Sequence, residues 1–266
     1  METLSAVFIA RAQLELELND RKQDRLSRFH IHGWRWHQAA LVRDAKRFQQ
    51  AARLLRCGRD RGACSARSLD QAARWLLDVN LRDFLLVQNE LFLPFLQKNL
   101  SAERVKPILR VSERHEQNIQ LLAQRLRTEL AACATPDQCP RHRHRLEQAA
   151  TRLAHLMEQA YATEQSLVVA AVAESIPPRK QRSFEEQVRH RLNAEQKRLH
   201  VVSFYEAIKD DPVELARFRS LVPAPVHLFL GSWRRRWYVP ATQSLDRCSR
   251  LGALSKCADT LAPRRD

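Results

Sequence analysis

The chain has 266 residues and a mass of 30.9 kDa, with 44% hydrophobic and 28% charged residues, enough for one large domain or two small ones. Its five glycines, Gly33, Gly58, Gly62, Gly231 and Gly252, assemble neither G-x-G-x-x-G nor G-x-x-x-x-G-K-[ST], which argues against Rossmann and P-loop nucleotide enzymes. Lys and Arg total 45 against 30 Asp and Glu, a net charge of +15, but 37 of the 45 are Arg spread along the whole chain, so charge alone selects no partner.

Abundant Ala, Leu, Arg, Gln and Glu, which lose little freedom in a helix, predict an all-α fold. Residues 1–28 read as a charged leader. A first helix runs from about His32 to Arg56 and closes in the stretch Gly58 to Ser68. The helix start Ser68-Leu69-Asp70 opens a second, to about Asn99. Ser101, with an acidic residue in the first turn, opens a third that tolerates Pro107 and runs to about Ala132. After the loop Thr135 to Pro140, a fourth runs from about His142 to Glu174, where Pro177-Pro178 stops it. Long helices joined by short loops predict an up-down-up-down four-helix bundle over 29–176. Three further segments follow: Ser183 to about Ile208, Asp210-Asp211-Pro212 to about Ser220, and one introduced by Pro223 and Pro225. They form a helical extension over 177–245 packed on the bundle, and 246–266 reads as a disordered tail.

The buried stripes follow from heptad spacing. In the first helix the stripe is Trp34, His37, Leu41, Ala45, Phe48, Ala52 and Leu55. In the third it is Ile108, Val111, His115, Ile119, Leu122, Leu126 and Leu130; in the fourth, Leu146, Ala149, Leu153, Met157, Ala160, Glu164 and Leu167. The second helix has two registers. One (Ala72, Leu76, Val79, Asp83, Leu86, Glu90, Leu93) buries Asp83 and Glu90; the other (Leu77, Leu81, Phe84, Gln88, Leu91, Phe95) does not. A buried ionisable group without a partner costs several kcal/mol. His37, His115 and Glu164 must therefore meet each other, hold a metal, or reach water near a bundle end.

At this point the residues resemble the hemerythrin-like, or HHE cation-binding, proteins over about 30–245. The segment from His37 to Asp44 is similar to the family's opening ligand segment, and Glu113-Arg114-His115-Glu116 to its third-helix segment. Leu91 to Leu96 and Glu164 to Val169 resemble the endings of its second and fourth helices, and Leu221 to Val226 with Arg234 to Tyr238 a Pro- and Arg/Tyr-rich extension. The resemblance implies a metal site, non-haem iron of the di-iron type, held by His37, His115 and Glu164, with Asp83 and Glu90 as substitutes if the second helix is rotated. The family's other ligand positions fall on Phe84 or Leu85, Gln88 or Asn89, and Ala160. The implied set is therefore reduced or lost, and the role one of sensing, storage or scaffolding.

The alternative is a basic helical protein that binds nucleic acid, an acidic partner or a membrane surface; the one local cluster is Trp233-Arg234-Arg235-Arg236-Trp237-Tyr238. No complete catalytic set is visible. His142-Arg143-His144 reads as a solvated turn. The six cysteines have no C-x-x-C or zinc-knuckle spacing and read as free thiols. The longest uncharged apolar run, Ser166 to Ala173, is far short of the ~20 residues that span a bilayer. The opening residues make a poor secretory signal, so a cytoplasmic location is expected.

Overall fold

The computed structural model describes residues 20, 24–57, 65–133 and 139–246, and among them there is no strand. The expected leader and tail lie almost wholly outside the described residues. Helix α1 spans His32–Arg56, and every residue of its expected stripe is buried, Leu41, Phe48 and Ala52 completely. Full burial of a side chain the size of Leu or Phe contributes about 1.5–3 kcal/mol.

Helix α2 runs continuously over 66–99. Ser65 caps it, its hydroxyl accepting the Ser68 N–H at 3.1 Å. The helix twice loosens into π geometry, at Arg74–Leu81 and Gln88–Phe92. The second stretch has a cause in sequence: Pro94 has no N–H and its ring would crowd the Glu90 carbonyl. The Leu93 N–H reaches back to the Gln88 carbonyl instead, one residue further than in an α-helix. Neither heptad register holds throughout as a result. The buried face passes from Ala72 and Leu76 to Leu81, Phe84, Gln88, Phe92 and Leu96.

Helix α3 spans Ala102–Ala132, with Ser101 at its N-cap; the Ser101 hydroxyl makes no capping bond. Helix α4 spans Cys139–Ser175, beginning three residues before the expected His142. The segment read as one helix from Ser183 to Ile208 is two. Helix α5, Pro178–Arg191, starts directly on the proline that stops α4, and α6, Ala194–Ile208, restarts at Asn193. Asn193 and Gln196 form a reciprocal capping box, each side chain accepting the other's backbone N–H. Helix α7 is Pro212–Leu221, capped by Asp211, and α8 runs over 224–246 with a π segment at Arg234–Tyr238. Pro240 stands to that segment as Pro94 stands to its own, and the Val239 N–H again reaches back five residues, to Arg234.

Helix α4 packs along both α1 and α3, while α6 lies along α1 on another side. One hydrophobic core joins side chains of α1 to α4 with Phe184 of α5, Val202 of α6, and Tyr238 and Leu245 of α8. A small second cluster of Trp36, Ile208 and Phe218 seats α7. The entry to α1 is pinned by the fully buried Gln181, which accepts the His30 N–H at 2.6 Å and donates to the carbonyls of Arg28 and Ile176.

Candidate functional site

The inward polar residues fall into separate groups. His115 on α3 and Glu164 on α4 do meet, His115 Nδ1 lying 3.3 Å from Glu164 Oε1. The other carboxylate oxygen accepts the Gln38 amide at 3.0 Å, and Gln38 in turn accepts from Gln165. Both oxygens of the buried Glu164 are therefore engaged by protein groups. Tyr161, one turn earlier, is buried with no hydrogen-bond partner for its hydroxyl; burial first, then the charges of Glu164 and Glu116, pushes its pKa well up.

His37 turns elsewhere. Its Nε2 lies 2.9 Å from Asn80 Oδ1 and 3.1 Å from the Asn80 carbonyl, two acceptors, so Nε2 carries the proton and donates. Burial, reinforced by the neighbouring His200, lowers its pKa to about 3, so the ring is neutral at ordinary pH. Beside it, at a ring separation of 4.7 Å, lies His200 of α6, a residue the sequence reading did not select. His200 Nε2 sits 2.9 Å from Asp83 Oδ2, and the same carboxylate accepts from Gln196 and Arg82. Burial opposes the charge on Asp83, but these bonds outweigh it and hold its pKa below the usual carboxylate value. Asp83 can only accept, so His200 Nε2 carries a proton and donates to it, which leaves Nδ1 as the ring's other polar atom. That nitrogen is buried and has no hydrogen-bond partner.

Glu90 belongs to neither group: it is exposed and paired with Arg191 at 2.8 Å. Of His37, His115 and Glu164, then, His115 meets Glu164, while His37 makes its hydrogen bonds with Asn80. Among the described residues no three His, Cys, Asp or Glu side chains are grouped so as to hold a metal ion. The donor set present here does not fit a di-iron centre: one histidine is committed to Asn80, one carboxylate to Gln38 and His115, and Asp83 to His200, Gln196 and Arg82. Asp83 is turned inward, whereas Glu90, which lies within the π segment at Gln88–Phe92, is turned outward.

A third polar group was missed altogether. Asp44 is completely buried on α1 and accepts from Trp75, Asn80, Arg43 and Arg47. Arg43 also donates to the Ser203 carbonyl and to the Tyr238 hydroxyl at 2.6 Å, joining α1, α6 and α8. Through Asn80, polar contacts run from Asp44 to His37, His200 and Asp83. His142, read as solvated, is half-buried against Glu129 at 2.7 Å. Cys57 is an exposed free thiol and Cys133 is buried; the other four cysteines have no described side chains.

Against the His37–His200 pair lies a cavity of about 350 Å³ between α1, α2, α5, α6, α7 and α8. Its walls are mainly apolar and aromatic, with Trp34, Trp36, Phe84, Phe184 and Phe218 all buried. Polar groups on the wall are few: the two imidazoles, Glu185, and the exposed Arg189 and Lys197. Glu185 accepts the Gly33 N–H at 3.0 Å, and burial raises its pKa. Among the described residues, no Ser, Thr or Cys lines the cavity. The arrangement suits binding: an apolar chamber lined in part by a histidine with an unpartnered ring nitrogen. The signal for His200 was weak, since its position in the α6 pattern depends on the break at Asn193. Compared with family models, curated proteins and solved structures, the chain matches none.

Proposed function

We propose that the protein is a helical ligand-binding protein whose cavity takes a small, largely apolar molecule carrying one hydrogen-bonding group such as a hydroxyl. The observation that carries this reading is a 350 Å³ apolar cavity lined in part by His200, whose buried Nδ1 has no hydrogen-bond partner. An unpaired buried polar atom costs about 1–3 kcal/mol, and a hydroxyl on a ligand, which can donate or accept, recovers part of it. In the same reading the helices form a hemerythrin-like four-helix bundle whose metal site has been lost; the His115–Glu164 contact is what supports the kinship. Trp34 and Trp36 line the cavity, so occupancy is readable as a change in intrinsic fluorescence. With 2-naphthol as probe and naphthalene as the donor-free control, saturable quenching is expected, stronger for the naphthol. His200→Phe should abolish that preference, weakening naphthol about 3–10-fold, and Val201→Trp should block both. Absence of saturable binding by either probe would overturn the ligand reading. Iron or another transition metal retained stoichiometrically by the purified chain, and lost in His115→Ala, would restore the metal site.

A further inference from the structure

Helix α8 is built against the usual rule of burial. Its first ten residues, Ala224–Trp233, are mostly apolar, yet none of them is buried. Leu228 is 83% exposed and Phe229 53%, and Leu221 at the end of α7 is 41% exposed beside them in sequence. The Phe229 ring lies nearly parallel to Trp233 at 6.1 Å. Together they make an apolar, aromatic ledge facing water.

A basic cluster follows on the same helix. Arg234 is neutralised by Glu206 at 2.7 Å, but Arg235 and Arg236 are exposed and pair with no carboxylate among the described residues. A Cβ on Gly231 would stand 3.8 Å from Arg235 Nη1, so that guanidinium lies back along the helix toward Leu228. The guanidinium groups of Arg198 and Arg236 both lie over the Trp237 ring, at 5.5 and 5.6 Å.

We propose that α8 docks this protein on an anionic lipid surface, with Leu228 and Phe229 entering the boundary between headgroups and acyl chains and Arg235, Arg236 and Arg198 lying on lipid phosphates. Apolar tip, aromatic shoulder and basic flank is the order in which a bilayer presents its acyl chains, interface and phosphates. A second copy of the chain fits less well, because a self-paired ledge brings the two arginine clusters together. Nucleic acid would use the arginines and Trp237 and leave Leu228 and Leu221 in water. No described helix is long and apolar enough to cross a membrane, so the contact is one of lying on the surface. The inference is independent of the cavity reading.

The test is co-sedimentation of the full chain with phosphatidylcholine vesicles with and without phosphatidylserine. Binding is expected to the serine-containing vesicles, falling as salt rises. Leu228→Glu with Phe229→Glu, and separately Arg235→Glu with Arg236→Glu, should each weaken it about tenfold or more. All four side chains are exposed, so circular dichroism should show both variants folded. Failure to bind the anionic vesicles overturns the proposal. So does binding that the Leu228/Phe229 variant leaves unchanged, since attachment would then be charge alone. A dimer by light scattering that this variant abolishes, or a single-stranded RNA that displaces the vesicles and binds the variant equally, also overturns it.

Discussion

Asp44 shows how one residue can tie a helical interior together. A carboxylate with no exposure persists only because two guanidinium groups, an indole N–H and a carboxamide meet it. Asp44→Asn keeps the shape and removes the charge, leaving Arg43 and Arg47 facing a neutral group; the expected loss is about 3 kcal/mol, read as a lower urea midpoint with unchanged slope. The histidines make a different prediction. Burial lowers His37 from 6.5 to about 3 and His32 from 6.5 to about 4. The unfolded chain therefore takes up protons below pH 6.5 that the folded chain refuses. Stability is full above pH 6.5 and falls as pH drops toward 4, by ~1.4 kcal/mol per pH unit for each group fully in play. Glu185, raised by burial, acts oppositely above its ordinary 4.5 and offsets part of that slope. Thermal midpoints measured across this range should decline, and His37→Gln, which keeps a donor for Asn80, should remove about one proton from the slope. An unchanged slope in that variant would contradict the burial of a neutral His37.

At the scale of helices, what the sequence makes legible is periodicity. The stripes of α1, α3 and α4 emerge from spacing alone because each is an unbroken α-helix: fourteen or more residues at a fixed 3.6 repeat leave little freedom in phase. Helix α2 escapes that logic, since each π stretch inserts an extra residue per turn and rotates everything after it. The Leu93-Pro94 and Val239-Pro240 pairs signal two of the three π segments among the described residues; nothing in the structure accounts for the one at Arg74–Leu81. The polar interior was half legible. His37, His115, Glu164 and Asp83 are buried or half-buried as spacing requires, but which side chain each meets depends on rotation about the helix axis, and Asp44 and His200 lay off the written stripes. The break at Asn193 was missed because apolar residues continue across it and the cap is purely local. Asn193→Ala removes the side-chain acceptor of the Gln196 N–H, while the Gln196 side chain keeps its bond to the backbone N–H of residue 193, and should cost about 1 kcal/mol, whereas Asn193→Gly should cost only a few tenths. Denaturation of the two variants side by side separates loss of the cap from loss of backbone constraint.

Across the whole molecule, the C-terminal helices are part of one interior rather than a covering laid on it. Val202, Tyr238 and Leu245 belong to the same buried core as Leu41, Phe48 and Leu76. Arg43 ties α1 to the Ser203 carbonyl and the Tyr238 hydroxyl, Tyr238 stands edge-on to Trp75 at 5.6 Å, and Arg47 pairs with Asp246 near the end of α8. Removing α8 would leave Arg43 and part of the α1–α2 core facing water, so the extension should not unfold ahead of the rest. Two sets of tryptophans report on this. Trp34, Trp36 and Trp75 lie in α1 and α2, Trp233 and Trp237 in α8, and far-UV circular dichroism follows all helices together. Fluorescence and circular dichroism should trace one coincident transition in urea. Tyr238→Phe, which takes the hydroxyl acceptor from Arg43, should move that single transition to lower urea by about 1–3 kcal/mol without splitting it. A fluorescence change that precedes the loss of helix, and moves alone in Tyr238→Phe, would mean that α8 opens independently and that its contacts with Arg43 and Trp75 are peripheral to the fold.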